Sequence, residues 1–440
     1  MNKNPQITAA SFLMTEDCNL RCTYCFEEHR KKRSMSKEVI KAGLDFLCRN
    51  SLVDGSRSFH AILFGGEPLM EPDGAEFLLE YGFKLAEETN TRFTAGIITN
   101  ATILTPRVQE ILKKYIPMGL TVQLSVDGVK EAHDMYRVTV NGRGSFDTIE
   151  KNIPIWKELF KDHMHQLTVH GCSNKNTLKY LYESYIFFRE EWEIPHIWFM
   201  PIHSEEWDED DVRLYEVELN KIADYILDRA KRENKLDEIY YYAPIDRCMR
   251  PDVRPSAPCG AGRNFATITA EGKISPCHHL YFNDPDGLMY IGDVFNGVDD
   301  MARQMFIDYE NKDINCPPDC EAVHCYRCIA ENYCQNGNPF SQIKGPRCEM
   351  SKIERKVQLR VRKGVEEMGL LNPKQAQYGP GNNPENPDCL CDARGTFRQG
   401  ECNCKTTNDA EEVIASALTL ILRKLDELEE TQNFMLKKIL

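Results

Sequence analysis

Apolar and polar positions alternate in two rhythms along the first half of the chain. Short apolar runs occur at Ile7–Thr15, His60–Phe64, Phe93–Thr99, Thr121–Val126, Gln166–His170 and His196–Met200. Between and after them lie longer stretches with helical periodicity, near 36–49, 73–89, 105–116, 145–161, 176–192 and 208–232. Strand patterns alternating with helix patterns predict βα units and a parallel sheet, an α/β fold. The acidic run over 204–211 stands where carboxylates favour a helix N-terminus.

After Tyr242 the rhythm gives way to glycine, proline and cysteine. Residues 350–370 again read as helix. Residues 372–388 are dense in proline, glycine and asparagine and predict a linker. A last helix begins at Asn408, with Glu411 in the capping-box position. Its Ile414, Leu418, Ile421, Leu425 and Leu428 form a heptad seam, which Gln432, Met435 and Ile439 continue. The seam suits a coiled coil joining copies of the chain, or docking on the protein's own surface. The units expected are 1–235, 236–350, a helix and linker over 351–388, and a cysteine-rich hairpin with the heptad helix over 389–440.

The 440 residues carry a net charge of −14, which argues against nucleic acid as a partner. No apolar run reaches membrane-spanning length, and Met1 to Gln6 lack the apolar core of an export signal. The expectation is a cytoplasmic protein with no membrane segment. Its 18 cysteines then point to metal or cluster ligation, not to a disulfide framework.

Three of those cysteines, Cys18, Cys22 and Cys25, follow the first strand candidate with C-x3-C-x2-C spacing. Three thiolates hold three irons of a [4Fe–4S] cube and leave the fourth open; zinc prefers four ligands. The second strand candidate runs into Gly65-Gly66-Glu67-Pro68, where glycines allow close backbone approach and the carboxylate suits an ammonium. On its own this segment also reads as a turn ended by proline. The third candidate runs to Thr99-Asn100 and the fourth to Ser125-Val126-Asp127-Gly128. A hydroxyl and a carboxylate there suit a ribose or an amino-acid headgroup, or a turn.

With Tyr24 in its aromatic position, the cysteine stretch resembles the CxxxCx(aromatic)C motif of the radical S-adenosylmethionine (SAM) enzymes. The resemblance implies a partial (β/α)6 TIM-like barrel. The open iron would chelate SAM, whose reductive cleavage gives a 5′-deoxyadenosyl radical that abstracts a hydrogen atom from substrate. Gly65, Gly66 and Glu67 resemble the family's GGE motif, in which the glutamate holds the SAM amino group. His133-Asp134-Met135-Tyr136-Arg137 and Gly142-Arg143-Gly144-Ser145-Phe146 are similar to a segment of the family's peptide- and protein-modifying members. The SAM contacts implied are Tyr24, Gly65, Gly66, Glu67, Asn100, Ser125, Asp127 and Arg137, with Arg143 the alternative to Arg137 at the SAM carboxylate.

In the second half, Gly272-x4-Cys277 and Cys325-x2-Cys328-x5-Cys334 with a later Cys348 resemble the SPASM extension. That extension carries two auxiliary [4Fe–4S] clusters, so three clusters are expected in all; zinc knuckles are the competing reading of the spacing. Cys325, Cys328, Cys334 and Cys348 would complete one auxiliary cluster. The other is left with Cys259 and Cys277 plus Cys316, Cys320 or both, because Asn338 stands where the family has a further cysteine. With three protein ligands, its open iron would capture a substrate cysteine. Cys389, Cys391, Cys402 and Cys404 suit zinc or another cluster, or are free thiols. Cys48, Cys172 and Cys248 read as packed thiols.

The resemblance, over residues 7 to about 350, implies a maturase of ribosomally made, cysteine-rich peptides that joins a cysteine sulfur to carbon as a thioether. Its partners would be a precursor peptide and a reductant such as flavodoxin or ferredoxin. No winged-helix domain precedes residue 7, which leaves peptide recognition to a separate protein or to the 389–440 tail. Rival readings are a carbon–carbon crosslinking maturase, a formylglycine-forming sulfatase maturase, and a zinc-ordered binding protein without catalysis.

Overall fold

The computed structural model describes residues 4–27, 32–202, 204–235, 260–284, 286–308, 328–340 and 345–370. Six strands follow one another through the first half: β1 (Ala9–Thr15), β2 (Ser58–Gly65), β3 (Arg92–Thr99), β4 (Thr121–Ser125), β5 (Leu167–Ser173) and β6 (His196–Pro201). Each pairs in parallel with the next. The helices between them are α1 (Lys37–Val53), α2 (Pro72–Glu88), α3 (Pro106–Tyr115), the short α4 (Lys130–His133), α5 (Phe146–Phe160) and α6 (Leu181–Ile186). After β6 comes α7 (Glu209–Glu233). Consecutive order with right-handed crossovers puts the connecting helices on one face of the sheet.

Side-chain alternation shows which face that is. In β2, Phe59, Ala61 and Leu63 are buried, while His60, Ile62 and Phe64 are half-buried on the opposite face. The row continues through the half-buried Gln123 and Ser125 of β4 and His170 and Cys172 of β5 to the exposed Trp198 and half-buried Met200 of β6. Ser125 is level with His170, and His170 with Trp198. This inner face is therefore polar and partly open, whereas the outer face is sealed by helices.

Capping residues start the helices where the sequence suggests. Ser36 and Thr105 accept the Val39 and Val108 amides at the heads of α1 and α3. Asp208 and Asp211 form a reciprocal capping box on α7, so the acidic run serves the helix start. The stretch near 176–192 is not one helix. It divides into a 3-10 turn (Leu178–Tyr180), α6 and a π-helical turn (Phe187–Glu191). Widening the turn lets Phe187, Phe188 and Trp192 pack together, with ring centroids 5.0–5.9 Å apart.

The second half adds to the same sheet. Strand β7 (Phe265–Ile268), absent from the strand candidates, pairs in parallel with the free side of β1. Strands β8 (Lys273–Ser275), β9 (Gly292–Asp293) and β10 (Gly297–Val298) continue antiparallel, giving ten strands in the order 10-9-8-7-1-2-3-4-5-6. Four helices complete the described chain: α8 (His278–Asn283), α9 (Asp300–Asp308), α10 (Ile329–Asn336) and α11 (Pro346–Glu367). Helix α11 matches the expected 350–370 helix and packs along α7, where Tyr215 donates to Glu354 at 2.9 Å. Among the described residues no helix is long and apolar enough to cross a membrane. The heptad helix and the linker lie outside the described residues.

Candidate active site

The cysteine loop leaves the C-terminal end of β1, the end at which βα folds place their sites. Asp17 caps it by accepting the Cys18 amide at 2.9 Å. Farther along, the Arg21 amide donates to the Val138 carbonyl at 2.7 Å and the Thr23 amide to the Tyr136 carbonyl at 3.0 Å. The loop is thus tied to the segment after β4 that carries His133 and Arg137. Cys18 is buried, and Cys22 and Cys25 are half-buried. The Cys18 sulfur accepts from the Leu20 amide at 3.4 Å and from the Asn100 side-chain amide at 3.7 Å.

The Gly-Gly-Glu segment braces this loop from β2. The Gly66 amide donates to the Thr15 carbonyl at 2.9 Å and the Glu67 amide to the Asp17 carbonyl at 3.0 Å. Gly65 has φ +122°, and a methyl group on it would collide with the Thr15 carbonyl oxygen. One on Gly66 would collide with the Asp17 carbonyl oxygen and lie 3.1 Å from Cys18 Cβ. Both glycines thus serve close backbone approach between strand ends. Glu67 is fully buried. Its Oε1 accepts from the Leu69 amide at 3.0 Å and Thr99 Oγ1 at 2.8 Å, and its Oε2 from the Asn100 amide at 2.7 Å. Burial pushes its pKa up to about 7 against the pull of these bonds. Asn100 also donates to Asn19 at 2.8 Å. The next residue, Ala101, holds φ +64°, a conformation costly for a residue with a side chain.

A second network stands at the end of β4. Tyr24 donates to Asp127 Oδ2 at 2.6 Å, Arg137 Nε lies 2.9 Å from Asp127 Oδ1, and the Arg137 guanidinium sits 5.5 Å over the Tyr24 ring. The Cys172 amide donates to Asp127 Oδ1 at 2.9 Å. His133 Nδ1 accepts the Asp127 amide at 3.3 Å. His133 Nε2 pairs with Ser145 Oγ at 2.9 Å, and that hydroxyl donates to the Arg137 carbonyl at 2.8 Å. With Nδ1 accepting, the ring proton sits on Nε2. Burial lowers the His133 pKa to about 4, so the ring is neutral. The two candidate arginines differ in placement: Arg137 is buried in this network, while Arg143 is exposed on the turn beyond it. Ser125 is on the inner face beside His170, whose Nε2 is buried without a hydrogen-bond partner.

Three residues at the site were not among the sequence candidates. Cys172 faces inward next to the Tyr24–Asp127 pair, and burial pushes its thiol up to about 12. His278 and His279 open α8 directly after Cys277. The His278 ring lies 4.3 Å from Phe64, just before the Gly-Gly-Glu segment, and the His279 ring lies 4.6 Å from Phe26, just after Cys25. The Cys-His-His run after a short strand was the available signal, and it shows its relation to Cys25 only once β7 is seated on β1.

Cys277 is the N-cap of α8, its sulfur accepting the Leu280 amide at 3.3 Å, and Cys328 is the N-cap of α10. A helix N-terminus favours a thiolate. Cys334 is exposed and Cys348 half-buried. Cys259, Cys316, Cys320, Cys325, Cys389, Cys391, Cys402 and Cys404 lie outside the described residues, as does Cys248.

Among the described residues no three His, Cys, Asp or Glu side chains converge on one metal ion. A cube sets a different demand, since it takes each thiolate on its own iron. The Cys18–Cys25 loop fits that demand, with three sulfurs from one loop and N–H donors directed at the buried one.

Residues 12–184 match the Radical SAM superfamily. A cysteine-type anaerobic sulfatase-maturating enzyme of Clostridium novyi is 30% identical over 184 residues, 40% of this chain and 46% of that enzyme. The match thus spans about half the length of that relative. The radical SAM cyclopropyl synthase TigE of Paramaledivibacter caminithermalis is 24% identical over 79% of this chain and 73% of its own. The solved structure of native anSMEcpe with bound AdoMet and Cp18Cys peptide shares the fold, with a TM-score of 0.61 at 19% identity over 82% of this chain and 99% of that one. Sheet order, cysteine loop and sequence match agree: residues 12–184 form a radical SAM domain.

Proposed function

We propose that the protein modifies a ribosomally made, cysteine-rich peptide by hydrogen abstraction and intramolecular thioether crosslinking. The observation that carries the radical chemistry is the Cys18–Cys22–Cys25 loop, held rigidly between Gly66, Asn100 and the Tyr24–Asp127–Arg137 network. When bound, the cluster and SAM supply the hydrogen-abstracting radical. The three cysteines would hold the cluster, and the N–H groups of Leu20 and Asn100 would stabilise the Cys18 thiolate. Glu67 and Arg137 stand beside the loop with the signs that a SAM ammonium and carboxylate require. The inner face of β4–β6, with Ser125, His170 and Trp198, offers hydrogen-bonding and aromatic surface to a substrate.

The thioether reading is supported by Cys277 and Cys328, sulfur donors whose helices reach the cysteine loop through Phe26 and His279. A second metal centre there would stand within reach of a substrate sulfur. That anSMEcpe holds a peptide in the same fold supports a peptide substrate here. Formylglycine formation is the second reading, favoured by the 30% identity to the sulfatase-maturating enzyme, although that match covers only 40% of the chain.

The test is anaerobic reconstitution with iron and sulfide, followed by turnover of a cysteine-rich precursor peptide. The expected product lacks two hydrogen atoms and keeps all its sulfur; loss of a cysteine sulfur would instead establish formylglycine chemistry. Cys18, Cys22 and Cys25 replaced together by alanine should abolish 5′-deoxyadenosine formation and leave auxiliary iron in place. A colourless zinc protein would overturn the reading.

A further inference from the structure

A hairpin lies along the cysteine loop. Residues 135–144 turn back on themselves after α4: the Thr139 amide donates to the Arg143 carbonyl at 2.7 Å, and Val138 is bridged to Gly144. A bridge between Leu20 and Thr139 and the amides of Arg21 and Thr23 stitch this hairpin to the loop. Its outer surface is apolar and open, with Val140 at the tip 58% exposed and Met135 at the base 42% exposed. Two exposed arginines flank it, Arg143 on the hairpin and Arg21 on the loop, and neither has an ion pair among the described residues. Arg21 is fixed in place, its Nη1 donating to the carbonyls of Cys18 at 2.5 Å and Leu20 at 2.7 Å. We propose that Arg21, Met135, Val140 and Arg143 form the docking site of an acidic one-electron carrier protein that reduces the cluster of the cysteine loop. The inference concerns the radical SAM domain and is independent of the peptide chemistry that follows.

Charge complementarity argues for this occupant. The chain as a whole carries −14, yet no acidic residue occurs over 18–26 or over 135–146. Just before the hairpin, Asp134 is paired with Lys130 at 3.0 Å. An acidic carrier is repelled by most of such a chain and is steered to the place where cations stand without acids. The apolar tip between two arginines suits a small, transient contact, the size class in which electron carriers meet their partners. Position argues for it as well. The half-buried Cys22 sits between Arg21 and Thr23, the two residues whose amides hold the hairpin. A carrier seated on the hairpin therefore has only the loop between itself and a cluster ligand. The carrier gives up one electron and the cluster gains it; no bond forms or breaks.

The experiment uses the full chain, reconstituted anaerobically with iron and sulfide. A reduced flavodoxin and a reduced acidic ferredoxin are the protein donors, and dithionite is the small-molecule control. Binding of the oxidised carriers is measured by calorimetry, and reduction of the cluster by the magnetic resonance signal that changes when SAM is added. Arg143→Glu and Val140→Asp should each weaken carrier binding and slow reduction by the carrier at least about fivefold, with dithionite reduction unchanged. Arg143→Lys should stay near wild type. Val53→Asp adds the same charge at another exposed valine, at the end of α1, and should also behave as wild type. Carrier rates unaltered in Arg143→Glu and Val140→Asp would overturn the proposal. So would equal slowing with dithionite, which means a damaged loop, or equal slowing in Val53→Asp, which means net charge alone. Failure of both carriers to reduce a wild-type cluster that dithionite reduces would overturn it too. Loss of cysteine-rich peptide binding in the two variants, with carrier reduction intact, would assign the surface to the peptide instead. A chain that takes up no iron would overturn the cluster itself.

Discussion

The Oε2 of Glu67 lies 2.7 Å from the Asn100 amide, so a fully buried carboxylate joins the end of β2 to the end of β3. Its pKa of about 7 in the fold, against 4.5 unperturbed, sets a direction for stability. Between these values the unfolded chain has released the proton that the folded chain keeps. The Glu67 contribution therefore falls as pH rises from about 4.5 to about 7 and is level above that. At about 1.4 kcal/mol per unit, the ceiling is about 3 kcal/mol.

Glu67→Gln should remove that slope. It should also cost about 1–3 kcal/mol, because an amide NH2 would face the Asn100 N–H. Urea unfolding of SAM-free protein at several pH values, as the difference between wild type and variant, isolates the residue from the buried histidines. Parallel curves would show that Glu67 does not titrate in this window.

Gly66→Ala should be far more damaging than its size suggests, because the new methyl meets the Asp17 carbonyl oxygen and Cys18 Cβ. The cysteine loop must shift, so iron uptake at the first site should fall at least tenfold. Gly142→Ala is the comparison: it has φ +71° and open space around it, and should cost only about 1–2 kcal/mol through backbone strain. Equal iron content in the two variants would refute the bracing role of Gly66.

Asp127→Asn should destabilise the protein by about 3–5 kcal/mol, since it leaves the Arg137 charge buried without its partner. Arg143→Ala should lie within about 0.5 kcal/mol of wild type, as exposed side chains do. If Arg143 matters to SAM binding and Arg137 does not, calorimetric titration of the two alanine variants will show it at once.

His133 should remain neutral down to about pH 4, because burial disfavours the charged ring, and protonating Nδ1 would also break its bond to the Asp127 amide. The unfolded imidazole titrates near 6.5. Stability from this residue is therefore complete above that value and declines as pH falls from about 6.5 to about 4. Nuclear magnetic resonance of its ring protons checks the assignment: a midpoint near 6.5 would mean that Nδ1 is not engaged.

The parallel α/β core was legible in the chain because each strand candidate carries a local signature, an apolar run bounded by turn residues and followed by a helical period. All six are strands, within a few residues at their ends. The cysteine loop, Gly65-Gly66-Glu67 and Asp127 could be named in advance because spacing and residue type are properties of short segments. Their relation to one another could not. Gly66 looked like a ligand-facing glycine, and the structure shows a backbone contact with Asp17. Arg137 and Arg143 were indistinguishable as residues, and only the packing of the segment after β4 against Tyr24 buried one and exposed the other. Strand β7 escaped notice because its four residues gain their meaning from pairing with β1, which lies more than 250 positions earlier. That pairing also carries His278 and His279 to Phe64 and Phe26. Local sequence determines which elements form; which side chains meet depends on long-range pairing and burial, whose energies no single segment contains.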